Sequence, residues 1–192
     1  MNSNKLNRLL GSQQYGWSLQ QPFYLDNEIF EAERENIFRK YWLFAGTIAE
    51  IPRAGDYFLY KVFNDSIIII RGNNGEVFAH YNTCRHRGSL ICLQERGRAV
   101  KLVCPYHQWV FDKDGTLLKA RLMPDDFDTS EFGLNPVRVE VTGGLIFISL
   151  SDNPPDFSKV AADYAPFLNP FRIAEAKVGF QTSYKLRTNW KL

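Results

Sequence analysis

The sequence contains little cysteine and little histidine, with three residues of each type in a chain of 192. Three cysteines cannot build the disulfide framework of a small secreted domain, so that class of protein is excluded. Cys92 lies in the apolar segment 90–93, where the simplest interpretation is a small buried hydrophobic side chain. The few histidines also limit how many metal sites with imidazole ligands the chain can build.

Long apolar runs and an excess of one charge are also missing. The apolar segments 67–70 and 145–150 have the length of a strand and are far too short to cross a bilayer. The first residues lack the apolar core of a secretory signal. The formal net charge is +2 and no basic stripe indicates nucleic-acid binding. The sequence therefore predicts a cytoplasmic protein that binds neither a membrane nor nucleic acid.

What the sequence does contain is a series of short apolar segments separated by turn residues. With 45% hydrophobic residues, the chain can bury a sizeable core, and its length suits one domain and part of another. Turns rich in Asn, Asp and Gly lie between the segments, which is typical of an antiparallel all-β domain. The predicted strands are residues 57–63, 66–71, 76–81, 99–103, 109–111, 116–119, 137–141 and 145–150.

The regions on either side of this β domain have a different character. Residues 1–22 are polar without a clear period and are predicted to be a loosely held arm. An amphipathic helix is predicted from the N-cap Asp26 to Tyr41. After a proline-containing break, a short helix over 156–164 and a half-buried strand over 178–186 are expected. The predicted parts of the chain are residues 1–41, 42–150 and 151–192.

Two short pairs of potential metal ligands lie within the β domain. They are Cys84-x-His86 and Cys104-x-x-His107, with seventeen residues between His86 and Cys104. Structural zinc sites usually take two cysteines from one pair and two histidines from the other, whereas a Rieske [2Fe–2S] cluster needs two cysteines on one iron and two histidines on the other. Mixed pairs meet the second demand, because each loop can reach both irons. A zinc site, and cysteines and histidines that bind nothing, are the alternatives.

The sequences CRHRG at 84–88 and CPYHQW at 104–109 resemble the Rieske motif in the α subunits of Rieske non-haem iron oxygenases, the aromatic-ring-hydroxylating dioxygenases. The resemblance implies a mainly β fold: an antiparallel β-sandwich Rieske [2Fe–2S] domain, preceded by an N-terminal helix and followed by the start of an α+β catalytic domain. ARLMPDDFD at 120–128 contributes to a resemblance to oxygenases that demethylate quaternary ammonium compounds such as glycine betaine, as well as to ring-hydroxylating dioxygenases. The implied cluster ligands are Cys84, His86, Cys104 and His107.

Residues beside the motif bear on the reduction potential. High-potential Rieske proteins carry an extra cysteine in each loop, and these form a disulfide. The matching residues here are Ser89 and Tyr106, so the resemblance implies a potential near the low end of the Rieske range. Arg85 and Arg87 flank His86, where they either stabilise the reduced cluster or dock an acidic electron donor. A solvated basic loop is the alternative.

The resemblance also implies what this chain does not supply. Rieske oxygenases activate O₂ at a separate mononuclear Fe(II) held by two histidines and one carboxylate. His80 is the one histidine left outside the motif, and its place in a predicted strand makes a structural role the simpler interpretation. Residues 189–191 resemble the segment that begins the helix leading to the iron. The chain is therefore expected to end just before its catalytic residues.

The resemblance is compatible with two alternative functions. The first is the N-terminal part of an oxygenase α subunit, which takes electrons from a reductase or ferredoxin and passes them to the mononuclear iron of the full-length protein, an expected homotrimer. The second is a free-standing Rieske-type ferredoxin, an electron carrier without a catalytic site. The helix before residue 42 and the residues after 150 favour the first function, because a ferredoxin needs neither.

Overall fold

The computed structural model describes residues 3–192, so residues 1 and 2 of the predicted arm lie outside the described residues. The helices are α1 (Ser3–Gly11), α2 (Pro22–Leu25), α3 (Asn27–Glu33) and α4 (Phe157–Leu168), and a π-helical turn (Arg34–Phe38) continues α3. The strands are β1 (Leu43–Thr47), β2 (Asp56–Val62), β3 (Asp65–Arg71), β4 (Val77–Tyr81), β5 (Arg96–Arg98), β6 (Leu102–Val103), β7 (Val110–Phe111), β8 (Leu117–Lys119), β9 (Arg138–Thr142) and β10 (Leu145–Ser149).

These strands form three sheets in which every pairing is antiparallel. The first sheet has the order β1-β10-β9, the second β4-β3-β2-β5 and the third β6-β7-β8. Short helices lie at both ends of the chain, outside the sheets. The prediction of a mainly β, antiparallel domain with a helix before it is therefore confirmed.

Strand β3 is the centre of the fold because it is buried on both faces. Its four consecutive isoleucines, 67–70, are each 0% exposed. Side chains alternate between the faces of a strand, so Ile67 and Ile69 point to one side and Ile68 and Ile70 to the other. β-Branched side chains suit this environment, since they pack well on a pleated surface. One strand therefore contributes to two separate hydrophobic cores.

The first core lies between the first two sheets. Ile67 and Ile69 pack there in one cluster with Ile146 and Ile148 of β10. This arrangement gives the β-sandwich its interior, at about 25 cal/mol of stabilisation for each Å² of apolar surface removed from water.

The second core lies on the other face of β3. Ile68 and Ile70 pack in one cluster with Trp109 and Phe111 and with the two motif cysteines. The third sheet and the loops around it therefore rest directly on the central strand.

Two strands of the structure were not predicted from the sequence. β1 contains two small residues, and a β-bulge between Phe44 and Gly46 shifts its register with β10, so its sequence shows no clean alternation. β5 has the sequence Arg-Gly-Arg and is exposed at the edge of the second sheet. Neither strand carries the apolar pattern on which the prediction depended.

Two predictions for the ends of the chain are wrong. Residues 3–11 of the predicted loose arm form α1, which is linked to the N-cap of α3 by an ion pair between Lys5 and Asp26. Residues 178–186 form no strand and are exposed, because no other described strand pairs with them. An alternating pattern is not enough to form a strand when both of its edges lack a partner.

The predicted helices are present with altered limits. The helix expected from Asp26 to Tyr41 is split into α3 and the π-helical turn, although Asp26 does cap it by accepting from the amide of Glu28 at 2.8 Å. The helix expected over 156–164 is α4, which extends to Leu168. Within residues 3–192, no helix is both long enough and apolar enough to span a membrane.

His80 is part of the core, in agreement with the structural role predicted for it. The ring is 2% exposed, and its Nε2 lies 2.9 Å from the carbonyl oxygen of Lys113. A carbonyl can only accept, so Nε2 carries the proton, while Nδ1 is buried without a hydrogen-bond partner among the described residues. Burial lowers the pKa of His80, outweighing the hydrogen bond to Lys113 and the charge of Asp114. The ring is therefore held neutral.

This burial predicts a pH-dependent contribution of His80 to stability. The folded-state pKa lies below the ordinary value of 6.5. As the pH falls below that value, the unfolded chain binds a proton that the folded chain excludes, and the free energy of unfolding decreases by up to about 1.4 kcal/mol per pH unit until the folded pKa is passed. The stability advantage of the wild type over His80→Asn should therefore be constant near pH 8 and shrink as the pH falls from about 7 to about 5.

Urea unfolding of both proteins across this range measures the effect, and the titration of the other histidines cancels in the difference. A difference between the two proteins that stays constant with pH contradicts the prediction.

Candidate metal centre

Two loops with the same backbone structure carry the motif residues. The first loop is 84–89 and the second is 104–109. In each, the amide of the leading cysteine donates to the carbonyl of the residue five positions later, at 2.8 and 2.9 Å. The amide of the residue four positions later donates back to the cysteine carbonyl, at 2.9 and 3.0 Å. The sequence pairs C-x-H and C-x-x-H thus form two matching tight turns.

Both turns need a left-handed residue at the fourth position after the cysteine. Gly88 has φ +71° and Gln108 has φ +58°. A Cβ at Gly88 would meet nothing within 4 Å, so glycine is favoured there by backbone conformation and not by space. Gln108 adopts the same conformation at a cost, and its side-chain oxygen accepts a hydrogen bond from the Arg121 guanidinium.

The structure brings the predicted ligands together in two pairs, Cys84 with Cys104 and His86 with His107. Cys84 and Cys104 are each 2% exposed and lie close enough that the Cys104 side chain raises the pKa of the Cys84 thiol. The rings of His86 and His107 have centroids 4.7 Å apart and cross at 70°. Among the residues described, no three His, Cys, Asp or Glu side chains are grouped as ligands of a single metal ion. Two pairs are instead what a two-iron cluster requires.

The unpartnered atoms at this site are those of potential ligands. Nδ1 of His86 and Nδ1 of His107 are buried, and neither has a hydrogen-bond partner in the described part of the chain. A buried nitrogen without a partner is destabilising by about 1–3 kcal/mol. A metal bound at these two atoms relieves that cost. The donor set of two thiols and two imidazoles therefore fits an iron–sulfur cluster of the Rieske type.

The protonation of the ligands depends on their burial. Burial raises the pKa of the Cys84 thiol, and the nearby Cys104 side chain raises it further. Burial lowers the pKa of His107, and so do His86 and Arg87. Without a metal the thiol keeps its proton, while His107 is already in the neutral form that binds metals. Cluster binding therefore releases protons from the cysteines.

Aromatic side chains cover the imidazoles. The indole of Trp109 stacks on His86, with centroids 4.9 Å apart and 6° between the planes. The Trp109 Nε1–H donates to the carbonyl of Arg121 at 3.3 Å. Tyr106 lies against His107, with centroids 3.8 Å apart, but is 59% exposed. A buried ring therefore covers His86 and an exposed ring covers His107, while both histidines are themselves partly exposed.

The other residues noted beside the motif have simple contacts. The Arg85 guanidinium donates to Asn135 Oδ1 at 3.0 Å, which links the first loop to the segment before β9. Arg87 is exposed. The Ser89 hydroxyl donates to the carbonyl of Leu90 at 3.3 Å, so it is not free to donate to a sulfur of the cluster. Cys92 is buried, and burial raises its pKa to about 11, as expected of a small core residue.

Asn82 is a supporting residue that the sequence did not reveal. Its side chain is fully buried, and Oδ1 accepts from the amides of Ile91 and Cys92 at 3.0 and 2.8 Å. Nδ2 donates to the Cys92 carbonyl at 2.8 Å and to Ser66 Oγ at 3.3 Å. Asn82 thereby fixes the chain that leaves the first loop. The sequence carries no signal for this role, because an asparagine before a loop is ordinarily exposed.

Comparison with known proteins agrees with this geometry. The family model described as the Rieske [2Fe–2S] domain matches residues 41–133. The fold and the paired loops define a Rieske iron–sulfur domain, and the domain implies a [2Fe–2S] cluster. Over nearly its whole length the chain is similar to part of Rieske oxygenase subunits.

Individual relatives show which oxygenases the chain resembles. The glycine betaine monooxygenase oxygenase subunit of Pseudomonas aeruginosa is 44% identical over 185 residues, which are 96% of this chain and 43% of that protein. The carnitine monooxygenase oxygenase subunit of Escherichia coli is 37% identical over 188 residues, 93% of this chain and 49% of that protein. The apo crystal structure of a quaternary ammonium Rieske monooxygenase superposes with a TM-score of 0.83 at 33% identity, covering 91% of this chain and 52% of that one. The chain thus spans about half the length of these relatives.

The contacts of Asn82 predict that it stabilises the first loop. Asn82→Ala leaves two buried amides and one carbonyl without partners, so it should lower the free energy of unfolding by roughly 3 kcal/mol. Ser66→Ala is a matched control, since it removes only the weakest of these contacts and should cost about 1 kcal/mol or less. Urea unfolding of both variants at neutral pH measures the costs. Equal effects of the two substitutions contradict this role of Asn82.

Proposed function

We propose that Cys84 and Cys104 bind one iron of a [2Fe–2S] cluster and that His86 and His107 bind the other through Nδ1. The observation that carries this proposal is the pair of buried Nδ1 atoms, which have no partner in the described part of the chain, beside two buried thiols. When bound, such a cluster accepts and returns one electron at a time. The identical hydrogen bonding of the two loops fixes the directions in which the four ligands point.

The surrounding residues favour reversible electron transfer. The oxidised cluster is formally neutral and gains one negative charge on reduction, so the positive charges of Arg85 and Arg87 stabilise the reduced state. Trp109 excludes water on the side of His86. His86 and His107 are both partly exposed, so electrons can enter and leave through these rings.

We also propose that this domain serves a monooxygenase. The relatives that match 93–96% of the chain are named as oxygenase subunits of glycine betaine and carnitine monooxygenases. A reductase then supplies the electrons, and the cluster passes them to a mononuclear iron held by the rest of an α subunit. The match includes residues on both sides of the Rieske domain, which a free-standing ferredoxin does not need. A quaternary ammonium compound is the proposed substrate.

The ligand proposal is tested by removing each type of ligand. Cys104→Ala and His86→Ala should lose the cluster, because each removes one of the four ligands. Cys92→Ala and His80→Asn change the remaining cysteine and histidine and should keep two iron and two sulfide ions per chain, the content of one [2Fe–2S] cluster. Iron and sulfide analysis, with electron paramagnetic resonance of the reduced proteins, gives the result. Stoichiometric zinc in wild-type protein from iron-replete cells contradicts the proposal.

The oxygenase proposal is tested with glycine betaine. Removal of one N-methyl group uses O₂, two electrons and two protons and gives formaldehyde, water and dimethylglycine. A protein that joins this chain to the remaining half of an α subunit should release formaldehyde when NADH and a reductase are present. The 192-residue chain should be reduced but release none, since His80 cannot supply a pair of histidines. Formaldehyde from the 192-residue chain, or none from any quaternary ammonium compound with the longer protein, overturns the proposal.

A further inference from the structure

Residues 189–191 lie against the opposite end of the chain, on the helical unit 22–38 formed by α2, α3 and the π-helical turn. Asn189 Nδ2 donates to the carbonyl of Tyr24 at 3.0 Å. Trp190 Nε1 donates to Glu33 Oε2 at 2.9 Å. Lys191 Nζ donates to both carboxylate oxygens of Glu33 at 2.8 Å. All three side chains therefore have a polar partner on the helical unit, and Trp190 and Lys191 share the Glu33 carboxylate.

The Glu33–Lys191 pair is more buried than the other ion pairs of the same helix. The two side chains are 12% and 11% exposed. Glu31 and Arg34 also form an ion pair, but those side chains are 52% and 32% exposed. Breaking a desolvated ion pair leaves a charge without a partner, whereas an exposed pair contributes little. Glu33 is therefore the residue on which the position of Lys191 most depends.

An aromatic contact links the same segment to the Rieske domain. Trp190 meets Phe38 of the π-helical turn edge to face at 5.0 Å, and Phe38 meets Phe63 edge to face at 5.2 Å. Phe63 lies in the two-residue turn between β2 and β3 and has φ +54°, a strained conformation for a bulky side chain. Phe30 and Phe38 hold its ring in place.

The intervening chain does not determine where residues 189–191 lie. Residues 176–188 are exposed and form no described strand. Thirteen residues can span up to about 45 Å when extended. Many positions are therefore within reach of the linker, and the contacts with Glu33 and Phe38 select one of them.

We propose that the helical unit 22–38 is the docking site for residues 189–191. Glu33 is the positioning residue, and Phe38 connects the segment to the Rieske domain because it contacts both Trp190 and Phe63. The inference deepens the proposed function and rests on it in one respect: residues 189–191 resemble the start of the helix that leads to the catalytic iron in Rieske oxygenases. The N-terminal helical unit thereby determines the position from which the chain continues into a catalytic half.

Hydrogen exchange of the 192-residue chain tests the docking itself. Glu33→Gln removes the charge while keeping the shape of the side chain, and the amides of residues 190–192 should exchange faster by on the order of tenfold, as expected for the loss of a charge-assisted hydrogen bond. Exchange in β2, β3 and β10 should not change. Glu31→Gln is the matched control, because it makes the same change on the same helix without touching residues 189–191.

Lys191→Met provides the second variant, because it removes the other partner and leaves the helix sequence intact. It should accelerate exchange at residues 190–192 as Glu33→Gln does, and the double variant should show no further increase beyond the larger single effect. Unchanged exchange at these residues in Lys191→Met overturns the proposal. So does an effect of Glu31→Gln equal to that of Glu33→Gln.

The role in oxygenation has a separate measurement. In a protein that carries the catalytic half, Glu33→Gln should leave the spectrum and potential of the cluster unchanged and slow its reoxidation in the presence of substrate and O₂, whereas Glu31→Gln should not. Equal reoxidation rates in the Glu33→Gln and Glu31→Gln proteins contradict this role of Glu33. Failure of the proposed function is distinguished from failure of the docking, because a chain that binds no cluster or oxidises no substrate still reports docking through hydrogen exchange.

Discussion

The four isoleucines of strand β3 are fully buried on both of its faces, and the rest of the domain is arranged to cover them. Ile67 and Ile69 need the sheet that contains β10, while Ile68 and Ile70 need the module that contains Trp109 and the motif cysteines. The metal centre is therefore mounted on the same strand that holds the β-sandwich together. Protein cores are packed as densely as organic crystals and yield little, so this core is a rigid support for the two loops.

The two loops have one backbone structure and different sequences. Gly88 and Gln108 occupy the same left-handed position, and each leading cysteine makes the same two backbone hydrogen bonds. Backbone bonds thus position the four proposed ligands, while Nδ1 of His86 and of His107 is buried without a partner among residues 3–192. A destabilised pair of ligand atoms on a rigid support is what a preorganised metal site requires, because the cost of ordering the ligands is met during folding.

The sequence predicted those parts of the molecule that follow local patterns. Alternating apolar residues located most strands, and the spacing of Cys84, His86, Cys104 and His107 identified the residues that the fold brings together. It missed β5, which is a polar edge strand, and Asn82, whose burial depends on residues nine and ten positions away. It also predicted a strand at 178–186, where the alternation is present but no described strand provides a partner. Long-range pairing is not contained in a local pattern.

Apolar and polar contacts have different roles in this chain. The two cores bury aliphatic and aromatic side chains, which stabilise the domain without demanding one exact direction of approach. The contact of Lys191 with Glu33 is ionic, nearly buried and bidentate. Such a pair adds little net stability, since desolvation offsets the attraction, but any displaced arrangement leaves two charges unpaired in a poorly hydrated place. Stability therefore comes from the cores, and the position of the chain beyond the exposed linker comes from Glu33.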